Sequence, residues 1–326
     1  MRVLIIKMSS MGDIIHTLPA VTDAAKALTN IQFDWVVEEA FTEIPNWHKQ
    51  IQQIIPIGLR RWRKNVYRTI RSGELKQFYT QLRAQKYDFV LDAQGSIKSA
   101  ITTFLSRGYR LGMDKYSVRE NLAYLTYQQT FSVSWQQHAI NRLRQLFAEA
   151  LNYPLPETKP DYGIIKEKLI QTKIELPENY MVCIPNTSCA TKLWSNQAWS
   201  ALIEKMTALG INLFIPWGNE EERKKAVQLS NNNSLTQVLP YLNLNEMAAI
   251  LMGAKAVVAL DTGLSHLSAA LGVPTIVLYG PTNPSFIGTI GPSQFHIKIP
   301  NNGNNIQDNN IVLKKITDNL QPILKV

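Results

Sequence analysis

The sequence predicts an α/β protein of two doubly wound, Rossmann-like domains facing a central cleft, the second following the first along the chain. Three observations carry that expectation. The chain has 326 residues, about twice the commonest domain size. Short apolar runs alternate with helical patterns, the mark of a parallel sheet covered on both faces. The alternation breaks once, at Pro154, Pro156, Pro160 and Pro177, and then restarts. This break separates an N-terminal domain, residues 1–160, from a C-terminal domain, residues 161–326, whose terminal helix could cross back to the first.

The elements follow in order. Arg2–Met8 reads as a buried strand because Val3-Leu4-Ile5-Ile6 is uninterrupted and apolar. Met11–Leu28 carries a helical pattern interrupted by Pro19, and Gln32–Val37 is a second strand. Gln50–Pro56 is a third, followed by basic helices to about residue 85. Tyr87–Leu91 is another short apolar run, after which Asp92-Ala93-Gln94-Gly95-Ser96 turns the chain into a helix. Trp135–Leu151 reads as one amphipathic helix closing the first half. Beyond the prolines come strand Met181–Ile184, helix Ala198–Ala208, strand Asn212–Ile215, helix Glu220–Leu229, strand Thr236–Leu239 and helix Asn245–Met252. Ala256–Leu260, Ser265–Leu271 and Thr275–Leu278 form a strand–helix–strand unit. Asn301–Asn310 reads as an Asn-rich loop and Ile311–Leu320 as a terminal helix.

Composition narrows the class. With 45% hydrophobic and 18% charged residues, the chain can bury cores and is neither disordered nor fibrous. Two cysteines, Cys183 and Cys189, cannot build a disulfide framework or a four-thiolate zinc site, and read as small buried or half-buried thiols in a reducing compartment. The apolar run between Arg2 and Lys7 is too short for the core of a signal peptide. No run approaches the roughly 18 apolar residues of a spanning helix. A cytoplasmic protein is expected, with association at a membrane surface left open.

Net charge is +9, and its placement is uneven. Residues 51–150 hold 16 Lys and Arg against 6 Asp and Glu, while the rest of the chain is close to neutral. The densest stretch is Arg60-Arg61-Trp62-Arg63-Lys64. Such a block attracts polyanions: nucleic acid, anionic lipid headgroups or an acidic substrate.

Three loops have residues suited to chemistry. Ser9-Ser10-Met11-Gly12-Asp13 follows the first strand, where ligands bind in parallel sheets, and projects one carboxylate, with His16 one helical turn on. It carries a single glycine and so lacks the dinucleotide fingerprint, which argues against an oxidoreductase. Asn186 to Trp194 supplies hydroxyls and Lys192, able to hold a diphosphate, without the P-loop pattern. Asp261-Thr262-Gly263-Leu264-Ser265-His266 follows an apolar strand and opens a helix, whose free amides favour anions. No Asp-x-Asp pair or His/Cys cluster appears, so no dedicated metal site and no cofactor are expected.

Two segments carry a resemblance. Met1 to Lys7 with Ser10 to Pro19, and Leu242 through Asp261–Leu267 to Pro274–Thr282, resemble the lipopolysaccharide heptosyltransferases of glycosyltransferase family 9 over nearly the whole chain. The Arg60–Lys64 cluster points to the heptosyltransferase I branch. The resemblance implies the two-domain fold called GT-B, with the acceptor in the N-terminal half. It implies transfer of L-glycero-D-manno-heptose from ADP-heptose to Kdo of Kdo2-lipid A, with inversion. The alternative is a heptosyltransferase II-type enzyme acting on an already heptosylated core.

Carried over by position, the ADP contacts fall on Thr187, Ser188, Lys192, Glu222, Leu242, Asp261, Thr262, Gly263 and His266, and the base on Asp13. Ser188 is a threonine in some relatives, and Trp194-Ser195-Asn196 lacks the proline expected after the tryptophan. The acceptor site is expected to gather Arg60, Arg61, Arg63, Lys64, Arg119, His138 and Arg142. The expected setting is a monomer held peripherally on the cytoplasmic face of an anionic inner membrane, with no nucleic-acid partner.

Overall fold

Val3, Leu4, Ile5 and Ile6 have no solvent exposure. A strand buried on both faces belongs in the middle of a parallel sheet, and β1 (Arg2–Ile6) pairs in parallel with a neighbour on each side. The computed structural model describes residues 1–169, 174–187, 189–231, 233–300 and 306–324. It divides into two units, Met1–Lys166 and Glu167–Val326.

In the first unit the order is β1, α1 (Met11–Ala27), β2 (Gln32–Glu38), α2 (Glu43–Asn46), β3 (Ile51–Ile57), α3 (Leu59–Trp62), α4 (Val66–Arg71) and α5 (Glu74–Leu82). It continues with β4 (Phe89–Asp92), α6 (Ile97–Leu105), β5 (Tyr109–Met113), β6 (Gln129–Phe131) and α7 (Ala139–Leu151). The second unit opens with β7 (Tyr180–Ile184), α8 (Asn196–Ala208), β8 (Asn212–Ile215), α9 (Glu220–Ser230), β9 (Thr236–Val238) and α10 (Leu244–Gly253). Then come β10 (Ala256–Leu260), α11 (Gly263–Ala270), β11 (Thr275–Tyr279), α12 (Pro284–Ile287), β12 (Gln294–Lys298) and α13 (Ile306–Leu324).

Each unit has a six-stranded sheet, ordered β3-β2-β1-β4-β5-β6 and β12-β11-β10-β7-β8-β9. Numbered within its own unit, the second order is the first read from the opposite edge. Both are the doubly wound order of Rossmann folds, which reverses direction between the first and fourth strands. The reversal lies between β1 and β4 in one unit and between β7 and β10 in the other. Loops leaving those strands diverge there and leave room for a ligand.

Each unit has its own core. In the first, Leu4 and Ile6 of β1 pack with Val36, Ile55, Trp62, Leu82 and Val90. In the second, Val258 and Leu260 pack with Trp194, Trp199, Leu202 and Ile276. Helix α13 lies on α8, β10 and β12 of the same unit. Residues just past the prolines stay with the first unit: Lys26 Nζ donates to Asp161 at 2.7 Å, and Ile165 N to the Trp47 carbonyl at 3.0 Å. The division therefore falls at 166/167 rather than 160/161.

Three strands have no apolar run in the sequence: β5, β6 and β12. β6 and β12 are sheet edges with exposed polar residues, as edges require. The helix expected from Trp135 starts at Ala139. His138 is its N-cap, Nδ1 accepting from Ile140 N at 3.2 Å, while the Trp135 indole donates to the Tyr116 carbonyl at 3.1 Å. Helix α13 begins at Ile306, inside the expected Asn-rich loop, whose residues 301–305 lie outside the described ones. Cys183 is buried as expected, whereas Cys189 is exposed.

Candidate functional site

Functional groups collect at the sheet reversal of each unit. In the first, α1 opens with a capping box: Asp13 Oδ2 accepts from Ser10 N at 2.9 Å and from Ser10 Oγ at 2.7 Å. That box satisfies helix-end donors and fixes the carboxylate at the loop leaving β1. Lys7 is buried immediately before this loop, its Nζ donating to the Ala93 carbonyl at 2.9 Å. Burial pushes the Asp13 pKa up, but Lys7, the two Ser10 bonds and His16 outweigh it and bring it down to about 2. Burial pushes the Lys7 ammonium down, Asp13 and Asp92 pull it back, and Arg119 and Arg142 push it down further.

Gln94, in the loop after β4, ties the two loops together: its Oε1 accepts from Met8 N at 2.7 Å and Ser9 N at 3.2 Å. Gln94 and Gly95 hang from buried Asp92, whose Oδ1 accepts both backbone amides and whose Oδ2 accepts from Tyr127 OH at 2.7 Å. Beside Met8, Ser9 and Gln94 opens a cavity of about 300 Å³, walled by Arg60, Arg63, Lys98 and Arg119 with Glu38 and Glu120. Both carboxylates are engaged, Glu38 with Arg60 N at 3.0 Å and Glu120 with Ile97 N at 2.8 Å. The balance presented to a ligand is cationic.

The seven residues expected around the acceptor do not all reach this cavity. Arg60, Arg63 and Arg119 line it. Arg61 turns away, pairing with Glu39 at 3.0 Å and Glu74 at 2.6 Å. Lys64 is exposed outside the cavity wall. His138 caps α7 and meets the His16 ring edge-on at 5.8 Å. Arg142 is buried over the Trp135 ring at 3.5 Å and donates to the Ser117 carbonyl at 2.8 Å, and burial pushes its pKa down to about 10.

In the second unit Asp261, at the end of β10, is the centre. It is 4% exposed and accepts from Lys192 Nζ at 2.6 Å. His266 Nε2 lies 3.8 Å from its other oxygen. Burial would raise the Asp261 pKa, but hydrogen bonds from His266, Lys192 and Thr282 hold it well below the carboxylate range. Thr262 caps α11 through a capping box with Ser265, and Gly263 is its first residue. Thr187 Oγ1 donates to the Asp261 carbonyl at 3.3 Å, joining the loop after β7 to the same centre. Ser188 lies outside the described residues.

Glu222 stands in the first turn of α9, its Oε2 accepting from Gly218 N at 2.8 Å. Leu242 is half-buried just before Asn243, the N-cap of α10. Ser195 caps α8 by accepting from Ala198 N at 3.2 Å, so the segment without the expected proline still starts its helix.

Several residues escaped the sequence reading. Lys7, Gln94 and Lys98 belong with the first site, Thr282 and Lys225 with the second. Lys225 Nζ donates to the Pro185 carbonyl at 2.8 Å, and beside it Asn186 Nδ2 is buried without a partner. A buried amide donor in that position suits an incoming oxygen. A lysine closing a fully apolar strand was the one visible signal for Lys7. Thr282 could be suspected from its place after β11. Gly280 lets that loop close in: a Cβ there would sit 2.8 Å from the Thr191 carbonyl oxygen and 3.2 Å from Lys192 Cα. No cluster of three metal-ligating side chains occurs among the described residues.

The family model for glycosyltransferase family 9 (heptosyltransferase) matches residues 75–316. The chain belongs to that family. It is a glycosyltransferase, and its two Rossmann-like units are those of a GT-B enzyme. The lipopolysaccharide heptosyltransferase 1 of Pseudomonas aeruginosa is 49% identical over 298 residues, covering 91% of this chain and 83% of that protein. The solved structure of the Escherichia coli heptosyltransferase WaaC with ADP matches at TM-score 0.90 and 43% identity, covering 98% of this chain and all of the other. The same enzyme with ADP-2-deoxy-2-fluoro heptose matches at TM-score 0.88 and 42% identity, covering 98% of this chain and 100% of that one.

Proposed function

We propose that this glycosyltransferase moves L-glycero-D-manno-heptose from ADP-heptose to Kdo of Kdo2-lipid A, building the inner core of lipopolysaccharide. One observation carries the donor assignment: the Asp261 centre, with Lys192, His266 and Thr282 on one carboxylate at the N-terminus of α11. A buried carboxylate holds the lysine, and the helix amides and lysine together suit a diphosphate. Relatives with this fold and over 40% identity carry ADP or an ADP-heptose analogue.

In this reading the second unit takes the donor. Lys192 and the α11 amides stabilise the charge that grows on ADP as the sugar–phosphate bond breaks, so no resident metal or cofactor is assigned. Glu222 accepts from ribose hydroxyls and Leu242 contacts the ADP. The first unit takes the acceptor, whose anionic groups enter the cavity of Arg60, Arg63, Lys98 and Arg119. Asp13 removes the proton from the attacking Kdo hydroxyl, and attack opposite the departing ADP inverts the anomeric carbon. One chain supplies every group, so a monomer suffices. Its lipid substrate places the enzyme peripherally on the cytoplasmic face of an anionic inner membrane. Among the described residues no helix is long and apolar enough to cross a membrane.

The test is ADP release from ADP-heptose. Release is expected with a Kdo-bearing lipid acceptor and not without it. Turnover with a heptosylated core and none with Kdo alone would overturn the acceptor assignment.

A further inference from the structure

Helix α6 is built the wrong way round for a helix that only packs on a sheet. Its buried residues are Ser99, Ala100, Thr102 and Thr103. Its large apolar residues, Ile97, Ile101 and Phe104, follow helical spacing on the other face and are 43%, 53% and 59% exposed. The 3₁₀ turn Ala123–Thr126 packs along this helix, and its neighbourhood adds Leu122 and Leu125, exposed by 64% and 65%. A contiguous apolar patch of this kind marks an interaction surface.

Its surroundings select the partner. Ser96 and Lys98 flank Ile97 in sequence and line the cationic cavity together with Arg119, so the patch begins at the cavity rim. At the other end the Arg110 guanidinium lies 5.4 Å from the Phe104 ring centroid. With Lys98, Arg110 and Arg119 around it and the nearby Glu120 carboxylate engaged by Ile97 N, this apolar patch matches the boundary between anionic headgroups and acyl chains. We infer that α6 and the adjoining turn are the membrane-docking face, seated in the headgroup–acyl boundary of an anionic bilayer beside the cavity that takes the acceptor's saccharide. The inference rests on the acceptor reading above: a saccharide fixed to lipid cannot leave the bilayer, so the cavity must be brought to it. Basic residues alone would give a salt-sensitive attachment, and the apolar stripe adds a component that salt does not screen.

The experiment compares the full chain with two separate variants, Ile101→Ser/Phe104→Ser and Leu122→Ser/Leu125→Ser. All four side chains are exposed, so thermal unfolding should not change. Co-sedimentation is measured on vesicles of phosphatidylethanolamine containing phosphatidylglycerol. Each variant should bind about tenfold more weakly, and the wild-type binding should persist in part at high salt. Turnover of the acylated acceptor in vesicles should fall with binding, and turnover of a water-soluble, deacylated acceptor should not. Wild-type binding by both variants would overturn the inference. So would a wild-type dimer in solution that the variants lose, which would assign the face to a second copy. If the wild type binds vesicles through this face yet never uses the deacylated Kdo acceptor, the acceptor reading fails and the docking face stands.

Discussion

Replacing Lys192 by methionine keeps most of the side-chain volume and removes one charge from the centre proposed for the donor. The ammonium lies 2.6 Å from Asp261, with 23% exposure for the lysine side chain and 4% for the aspartate. Two consequences can be sized. A charge-assisted contact to a diphosphate contributes about 1.5–3 kcal/mol, so ADP should bind about 10- to 150-fold more weakly. Breaking a buried ion pair costs about 3–5 kcal/mol. Here His266 and Thr282 still bond to the carboxylate and the lysine is partly hydrated, so about 2–3 kcal/mol is expected.

For a unit of this size that lowers its melting temperature by about 4–12 °C. The Asp261 pKa is depressed in the folded state, so the stabilisation is present above the ordinary value of 3.8 and is lost as pH falls through the folded value. The melting-temperature gap between wild type and Lys192→Met should therefore hold from neutral pH to about pH 4 and close below it. Titration calorimetry with ADP and thermal melts across pH read both effects. An ADP affinity within about twofold of wild type would refute the placement of the diphosphate at Lys192.

Three further perturbations test the other parts of the chemistry. Asp13→Asn keeps the shape and removes the basicity, so kcat should fall by about 10²–10⁴-fold with ADP affinity unchanged; near-normal turnover, with loss in His16→Ala instead, would give the role to His16. Lys7→Met removes the cation that most lowers the Asp13 pKa, so the acid limb of kcat/KM should move up by about 1–3 on the pH scale, and an unmoved limb would detach Lys7 from Asp13. Gly280→Ala places a methyl 2.8 Å from the Thr191 carbonyl oxygen; ADP binding measured by calorimetry should weaken and the protein should lose about 1–3 kcal/mol of stability.

What the sequence revealed follows from which signals are local. Buried strands such as β1 and β10 are continuous apolar runs, and Gly263 with Thr262 at a helix start speaks for itself. Edge strands β6 and β12 carry polar residues because one side faces solvent, and so look like loops. The residues expected around the acceptor show the same limit. A run of charges announces an electrostatic site but not which side chains turn toward it. Arg61 spends its guanidinium on Glu39 and Glu74, carboxylates from two other segments. Lys98 lines the cavity from a helix that the charge run does not include. Thr282 and Lys192 meet on Asp261 where their loops close over Gly280, a contact that leaves no room for a Cβ.

The depressed pKa of Asp13 bears on how the proposed base works. A carboxylate held at about 2 is ionised throughout the neutral range but is a poor acceptor for the proton of an intact hydroxyl. The hydroxyl need not give it up early. As its oxygen bonds to an oxocarbenium-like anomeric carbon, the oxygen acquires positive charge and its proton becomes strongly acidic. A weak base in the right place then suffices, because the proton moves late, after the C–O bond has begun to form. Lys7 favours this order by keeping the carboxylate charged, while the two Ser10 bonds orient it. In the proposed mechanism the step that needs help is then the departure of ADP, and Lys192 with the first turn of α11 would supply the charge compensation there.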